Sequence, residues 1–377
     1  MHAYDNARAW LRLLRAGVSV SAIRQAIAAC GSACAAVEAT RTSWLAWGAT
    51  PAVHATLVAT ALPASDLYWL EPDAHHLIGW DDPDYPELLR RTPDAPVALF
   101  VEGDPMLLWT PQVAIVGSRH ATAGGIDNAR AFAKALLGSG LTITSGMAEG
   151  IDAAAHLAAL DAKAPTVAVV GTGTDVVYPP RHDRLAARIR EHGAIVGELW
   201  PGAPPKSENF PRRNRIIAGL SLGTLVVEAA ERSGALITAR LAAEAGREVF
   251  AVPGSIHNPI ARGCHRLIRQ GAALVEDARE VIDALGPVAR GLADALRARL
   301  NEDATPRRRG RNGKKPADAG QARVLAAIGH DPVEIDTLAD RTGLTVPELS
   351  SMLLLMELQG LVAAEHGRYA RKAARSP

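Results

Sequence analysis

Seven short runs of β-branched and apolar residues, separated for the most part by helical stretches, restrict the fold of this chain more than any other feature. They are QVAIVGS (112–118), LTITSG (141–146), TVAVVGTG (166–173), AIVGEL (194–199), GTLVVEA (223–229), EVFAVPG (248–254) and AALVED (272–277). Several end in glycine or a small polar residue, and segments such as ARAFAKALLGSG and HDRLAARIREHG lie between them. Such alternation specifies βαβ units, and therefore a parallel sheet with helices on both faces. Ligands of such sheets collect beyond the carboxyl ends of the strands, where the strand order reverses.

The flanking segments have a different texture. Residues 1–72 read as a small helical domain, with runs ended by Gly17, Gly31 and Gly48 and with Trp44, Trp47 and Trp69 as core residues. The α/β domain is expected over 76–285. Residues 286–318, containing NEDATPRRRGRNGKKP, read as a basic linker. Residues 319–377 offer three helices and a hairpin, the pattern of a winged helix. The expected class is thus α/β: an extended Rossmann-like, mostly parallel sheet with a small N-terminal helical domain and a C-terminal winged-helix domain.

Net charge is +1 over 377 residues, so any anion site must come from local clustering. Three cysteines argue against a disulfide framework and for a reducing compartment. Cys30 and Cys34 lie one turn apart on an alanine-rich helix, without the second pair a zinc site needs. The start has no signal-peptide architecture, and no apolar run approaches the roughly 18 residues of a membrane span. A cytoplasmic protein with no membrane contact, no metal and no cofactor is expected.

The clustering sits at strand ends. VAIVGSRHATAGG runs a strand into Gly117, Ser118 and Arg119, where a tight turn, free helical N–H groups and a guanidinium would suit a phosphate. It is neither G-x-G-x-x-G nor a P-loop, and GTGTDV has Val176 where a third glycine would stand, which disfavours a nicotinamide dinucleotide. One such turn is ordinary; Gly117, Gly146 and Gly171 make three. In SGMAEGIDAAAH, Ser145 and Gly146 end a strand. Asp152 reads as a helix cap and His156 as a packed histidine, because no nucleophile accompanies them.

FPRRNRIIAGLS (210–221) concentrates Arg212, Arg213, Asn214 and Arg215 before an apolar run. A helix beginning after Asn214 would carry these cations at its N-terminus, which opposes its dipole by about 0.3–1 kcal/mol each. An anion there would explain the placement. With Arg119 and Lys206 the charges exceed what one nucleotide needs and suit a polyphosphate chain, gripped as single-stranded nucleic acid is.

These stretches, together with VVEAAERSGALITARLAAEAGREVFAVPGSI and GCHRLIRQGAALV, resemble the DNA-processing protein A family (DprA, also called Smf) over about 76–285. DDPDYPELLRRTPDAPVALFVEGDP resembles its lead-in. The C-terminal segment is similar to the family's winged helix; the N-terminal helices are similar only loosely to its variable first domain. The resemblance implies a homodimeric, non-enzymatic single-stranded DNA-binding protein of natural transformation that protects incoming strands and loads the RecA recombinase. It implies a groove including Gly117, Ser118, Arg119, Arg213, Asn214 and Arg215, with Lys206 an approximate match to a family lysine. Cys264, His265 and Gly197 depart from the usual pattern without touching these positions. Ser145, Gly146, Gly171 and Arg212 complete the candidate nucleic-acid contacts. Trp200 is ranked as packing before base stacking.

Two other readings compete. A Rossmann-like nucleotide-processing hydrolase would use Glu228 and Glu231 beside SGALITA. A duplex-reading regulator would use TVPELSSMLLLMELQG (345–360), which lacks Lys and Arg and carries Glu348 and Glu357. Its Met352–Met356 run reads mostly as core, and the winged helix as a protein-binding or modulating module.

Overall fold

The computed structural model describes residues 2–59, 61–286, 288–289 and 291, and in the C-terminal part 323–324, 327–328, 333–346, 349, 353, 356, 362–365 and 368–371. The chain forms two compact units, 1–301 and 302–377.

The first unit is built on nine strands: β1 (His75–Gly79), β2 (Ala98–Gly103), β3 (Gln112–Val116), β4 (Thr142–Ser145), β5 (Thr166–Val169), β6 (Ala194–Gly197), β7 (Gly223–Val226), β8 (Glu248–Ala251) and β9 (Ala273–Leu274). Their order is β1-β2-β6-β5-β4-β3-β7-β8-β9. β3 to β9 are parallel to their neighbours, whereas β2 is antiparallel to β6 and to β1. All seven expected runs are strands. They stop one to four residues short of the quoted C-terminal limits because the glycines and polar residues already belong to the turns. β1 and β2 were not among them.

Side chains alternate across each strand, and the two faces bury different helices. Ala114, Val116, Val167, Val169 and Val226 pack with Ile216, Ile217 and Leu220 of the helix Asn209–Leu220, and with Ala235 and Ala239 of the helix Gly234–Glu244. Val113, Ile115, Ile143 and Leu225 point the other way. They meet Ala129, Phe132, Ala133 and Leu136 of the helix Ala123–Gly138 and Ile151 and Ala155 of the helix Ile151–Asp161. This two-sided burial is why the parallel strands read as near-continuous apolar runs.

The N-terminal helices close the β2 side of the same unit. Trp10 and Trp44 are fully buried in a cluster that takes in Val97 and Ala98. Trp69 is buried and Trp47 half-buried. Asp81 joins helix to sheet, accepting from the Trp10 indole and from the Ala33 N–H, both at 2.7 Å. The buried Asp66 carboxylate holds Arg15, with the Nε contact at 2.7 Å.

The second unit carries β10 (Val333–Glu334), β11 (Val362–Glu365) and β12 (Arg368–Arg371) in the antiparallel order β10-β12-β11, with a helix Ile335–Thr342. Val324, Ile328, Leu338, Leu349, Leu353, Met356 and Val362 form its core. Leu353 and Met356 are buried as expected. Met352, Leu354, Leu355, Glu348, Glu357 and most of the linker lie outside the described residues.

Among the described residues no group of acidic, histidine or cysteine side chains could hold a metal, and no helix is long and apolar enough to cross a membrane.

Candidate nucleic-acid interface

From β3 the chain proceeds to β4, β5 and β6 on one side, then returns to place β7 on the other. β3 and β7 are in register, Val116 beside Val226, and the loops that follow them part there. A cleft of about 690 Å³ opens at this switch point.

Its first wall is the turn after β3. The Ser118 N–H donates to the Glu228 carbonyl at 2.7 Å, and the Ser118 carbonyl accepts from the Ile151 N–H at 3.2 Å. The Glu228 carboxylate, itself buried, accepts from the Thr122 N–H (2.9 Å) and the Thr122 hydroxyl (2.6 Å). Thr122 Oγ1 in turn caps the helix Ala123–Gly138 through the Gly125 N–H at 3.0 Å. The turn is thus held from the β7 side. Arg119 stands exposed at its tip, its guanidinium 5.9 Å from the Phe210 ring. Phe210 and Tyr178 lie 5.2 Å apart and make an aromatic ledge beside it.

The second wall is the helix Asn209–Leu220. It begins five residues before Asn214, so the sequence expectation of a helix starting after Asn214 is corrected. Pro211 is compatible with this start, because the first N–H groups of a helix have no intrahelical acceptor. The arginines therefore lie one turn inside the helix and face different ways. Arg213 is buried, and its Nη1 donates to the Gly146 carbonyl at 2.8 Å and to the Val169 carbonyl. It ties the ends of β4 and β5 together. Burial lowers its pKa to about 10; Asp152 opposes that shift and Arg119 adds to it. Asp152 accepts from the N–H groups of Gly146 (3.1 Å) and Ala148 (3.4 Å). Its pKa is raised by burial, with Arg213 the largest opposing influence.

A side chain at Gly146 would place its Cβ 2.7 Å from the Arg213 guanidinium and 2.8 Å from Asp152. That glycine is there for close packing.

Gly117, Ser118, Arg119, Arg213 and Asn214 line the one cleft. Gly146 lies in a smaller recess shared with Arg119 and Arg213. Ser145 is fully buried and donates to the Ile115 carbonyl at 2.6 Å, and Gly171 packs under Phe210. Lys206, Arg212 and Arg215 are not part of the cleft. Arg215 is directed to Glu198 and, at 3.0 Å, to Asp94, and its side chain is only 10% exposed. Arg212 meets Glu198 at 3.3 Å, and with Lys206 it lines a separate groove against the N-terminal helices.

Asp152 and His156 do not pair. His156 is fully buried against the Thr166 hydroxyl at 2.8 Å, and burial lowers its pKa to about 3, with His182 and Arg213 contributing. The packed-histidine reading holds, whereas the cap reading of Asp152 is corrected: Gly150 is the N-cap of the helix Ile151–Asp161, without a side-chain bond, and Asp152 holds the turn that precedes it.

One cleft residue escaped the sequence reading. Arg232 is exposed on the rim and is followed by Ser233, whose hydroxyl caps the helix Gly234–Glu244 by accepting from the Ala235 N–H at 3.3 Å. Arg-Ser-Gly between a strand and an apolar helix was the available signal. Among the described residues neither Arg119 nor Arg232 has a carboxylate partner.

A Rossmann-like sheet with an open cationic, aromatic crevice at its switch point, in a chain with a separate winged helix, defines the class of protein. The chain belongs to the DNA recombination-mediator protein A family, whose model matches residues 76–286; a DprA winged helix domain matches 311–368. It is 46% identical to Protein Smf of Escherichia coli K12 over 308 residues, 81% of this chain and 80% of that one. It is similar to the X-ray structure of DNA processing protein A from Streptococcus pneumoniae, with a TM-score of 0.66 and 37% identity over 72% of this chain and 95% of that one. It is also similar to DNA processing protein A from Helicobacter pylori, whose structure addresses its single-stranded DNA binding mode, with a TM-score of 0.50 and 28% identity over 53% of this chain and 92% of that one.

Proposed function

We propose that this protein binds single-stranded DNA without reading its sequence, through the switch-point cleft. The convergence of unpaired Arg119 and Arg232 with the Tyr178–Phe210 ledge carries the reading. Guanidinium groups meet phosphates, the start of the helix at Gly234 adds N–H donors, and aromatic faces accept any base. The Helicobacter pylori relative supports the same ligand. Gly117, Ser118, Arg119, Asn214 and Arg232 are the contacts proposed here, with Arg213 and Gly146 shaping the floor.

Binding is favoured over hydrolysis by the state of Glu228. Its two carboxylate oxygens accept from Thr122 and hold the turn after β3, and Glu228 is not among the residues that line the cleft. Protection of incoming strands in natural transformation, delivery of the strand to RecA and action as a cytoplasmic homodimer complete the proposal.

The test is fluorescence anisotropy of a labelled oligothymidylate over a salt series. Arg119→Ala and Arg232→Ala are each expected to weaken binding about tenfold and to reduce the log–log salt slope by about 0.7 per lost phosphate contact. Wild-type affinity and slope in both variants would refute the cleft. RecA filament growth on DNA already covered by a single-strand binding protein, and sedimentation of the free protein, test delivery and dimerisation.

A further inference from the structure

The segment Pro204–Asn214 separates two clefts. Pro205, Ser207, Phe210 and Arg213 line the switch-point cleft, whereas Lys206, Glu208, Asn209 and Arg212 line a second groove of about 290 Å³. The floor of that groove is apolar, from Val18, Val20, Ile23 and Val97, and Trp200 stands at its side.

Trp200 is held in an unusual way for a loop tryptophan. The residue is 38% exposed, and the Arg15 guanidinium lies 5.1 Å from the ring centroid. Arg15 is in turn fixed by the fully buried Asp66. The loop itself is pinned at Gly202, whose N–H donates to Asp175 at 2.9 Å, and at Ala203, whose carbonyl accepts from the Gly173 N–H at 2.9 Å. A large flat ring is therefore presented at fixed orientation, with Lys206 exposed and the Arg212 side chain 57% exposed nearby. Glu198 is already balanced by Arg212 and Arg215, which leaves Glu208 as the acidic group without a cation partner there.

We infer that this groove is a second nucleotide subsite, in which Trp200 stacks on a base and Lys206 and Arg212 meet the adjoining phosphates of a strand that has crossed the Pro204–Asn214 ridge. The occupant is single-stranded polynucleotide. An exposed aromatic face with flanking cations matches that ligand, and the two clefts share one dividing segment. The inference rests on the cleft assignment above and adds to it a length dependence that a single cleft would not produce. It also gives the N-terminal helices a part in binding, through Arg15.

The experiment compares oligothymidylates of about 5 and about 20 nucleotides, spanning the usual site sizes of such proteins. Trp200→Ala and Lys206→Ala are expected to bind the short strand as wild type does and the long strand about tenfold more weakly. Trp200→Phe keeps most of the long-strand affinity. Tryptophan fluorescence is expected to be quenched by the long strand in wild type and substantially less so in Trp200→Phe. Arg119→Ala serves as the control that weakens both lengths. Equal binding of both lengths by Trp200→Ala and Lys206→Ala, alongside an impaired Arg119→Ala, would overturn the second subsite and leave the cleft standing. Equal losses at both lengths in Trp200→Phe would also overturn it. An unimpaired Arg119→Ala would count against the cleft itself.

Discussion

Replacing Arg213 with alanine separates its structural work from contact with DNA. The substitution removes the donor that satisfies the Gly146 and Val169 carbonyls and the cation nearest the buried Asp152. Breaking a buried charge arrangement by deleting one partner costs about 3–5 kcal/mol. At about 2 °C per kcal/mol for a unit of this size, the melting temperature is expected to fall by about 6–10 °C. The loss also depends on pH. Burial raises the Asp152 pKa in the fold and Arg213 restrains that rise, so in the variant it climbs further. A group with a folded pKa above its unfolded value adds stability below the unfolded value and loses it as pH rises through the folded one. The deficit should therefore be smaller at about pH 5 than at about pH 7.5. Thermal and urea unfolding of the variant and wild type at both pH values measure it. A melting temperature within about a degree of wild type, or a deficit that does not change with pH, would refute the argument.

Two further outcomes follow from buried groups. His156 has a folded pKa depressed to about 3, so its contribution is intact above the unfolded value near 6.5 and is lost as pH falls toward 3. At about pH 5 that loss is about 2 kcal/mol. His156→Gln, which keeps a partner for Thr166, should narrow the gap to wild type by that amount between neutral pH and pH 5; a constant gap in urea titrations would disprove it. Glu228→Gln would turn an amide N–H toward the Thr122 donors, costing about 1–3 kcal/mol and loosening the turn that carries Arg119. Faster hydrogen exchange over 118–125 with weaker DNA binding is expected, and wild-type values for both would exclude the role.

The parallel sheet was legible because its strands are buried on both faces and so read as apolar runs. β1 and β2 were harder. HHLIG is only half apolar, and ALFVEG sits in the lead-in without a βα rhythm around it. The cationic cluster was legible as a cluster but not by direction. Once the helix is known to start at Asn209, Arg212 and Arg215 fall three residues apart on one side and share Glu198, while Arg213 turns inward. The start itself was hidden by Pro211, which looks like a breaker and is tolerated in a first turn. Arg232 was visible in a quoted stretch, at the Arg-Ser-Gly that opens an apolar helix, but its place on the rim depends on β7 lying beside β3.

By itself the sequence determined the alternation of strands and helices, the turns at their ends and the local excess of positive charge. These depend on residue periodicity and backbone chemistry within a few positions. The tertiary structure alone decided which charges are free. Arg119 and Arg232, far apart in the chain, meet across the switch point because β3 and β7 are neighbours. Arg213 and Arg215, in the basic stretch FPRRNR, are consumed by carbonyls and carboxylates from other strands and loops. Burial and partner choice arise from distant segments brought together, and no window of sequence contains them.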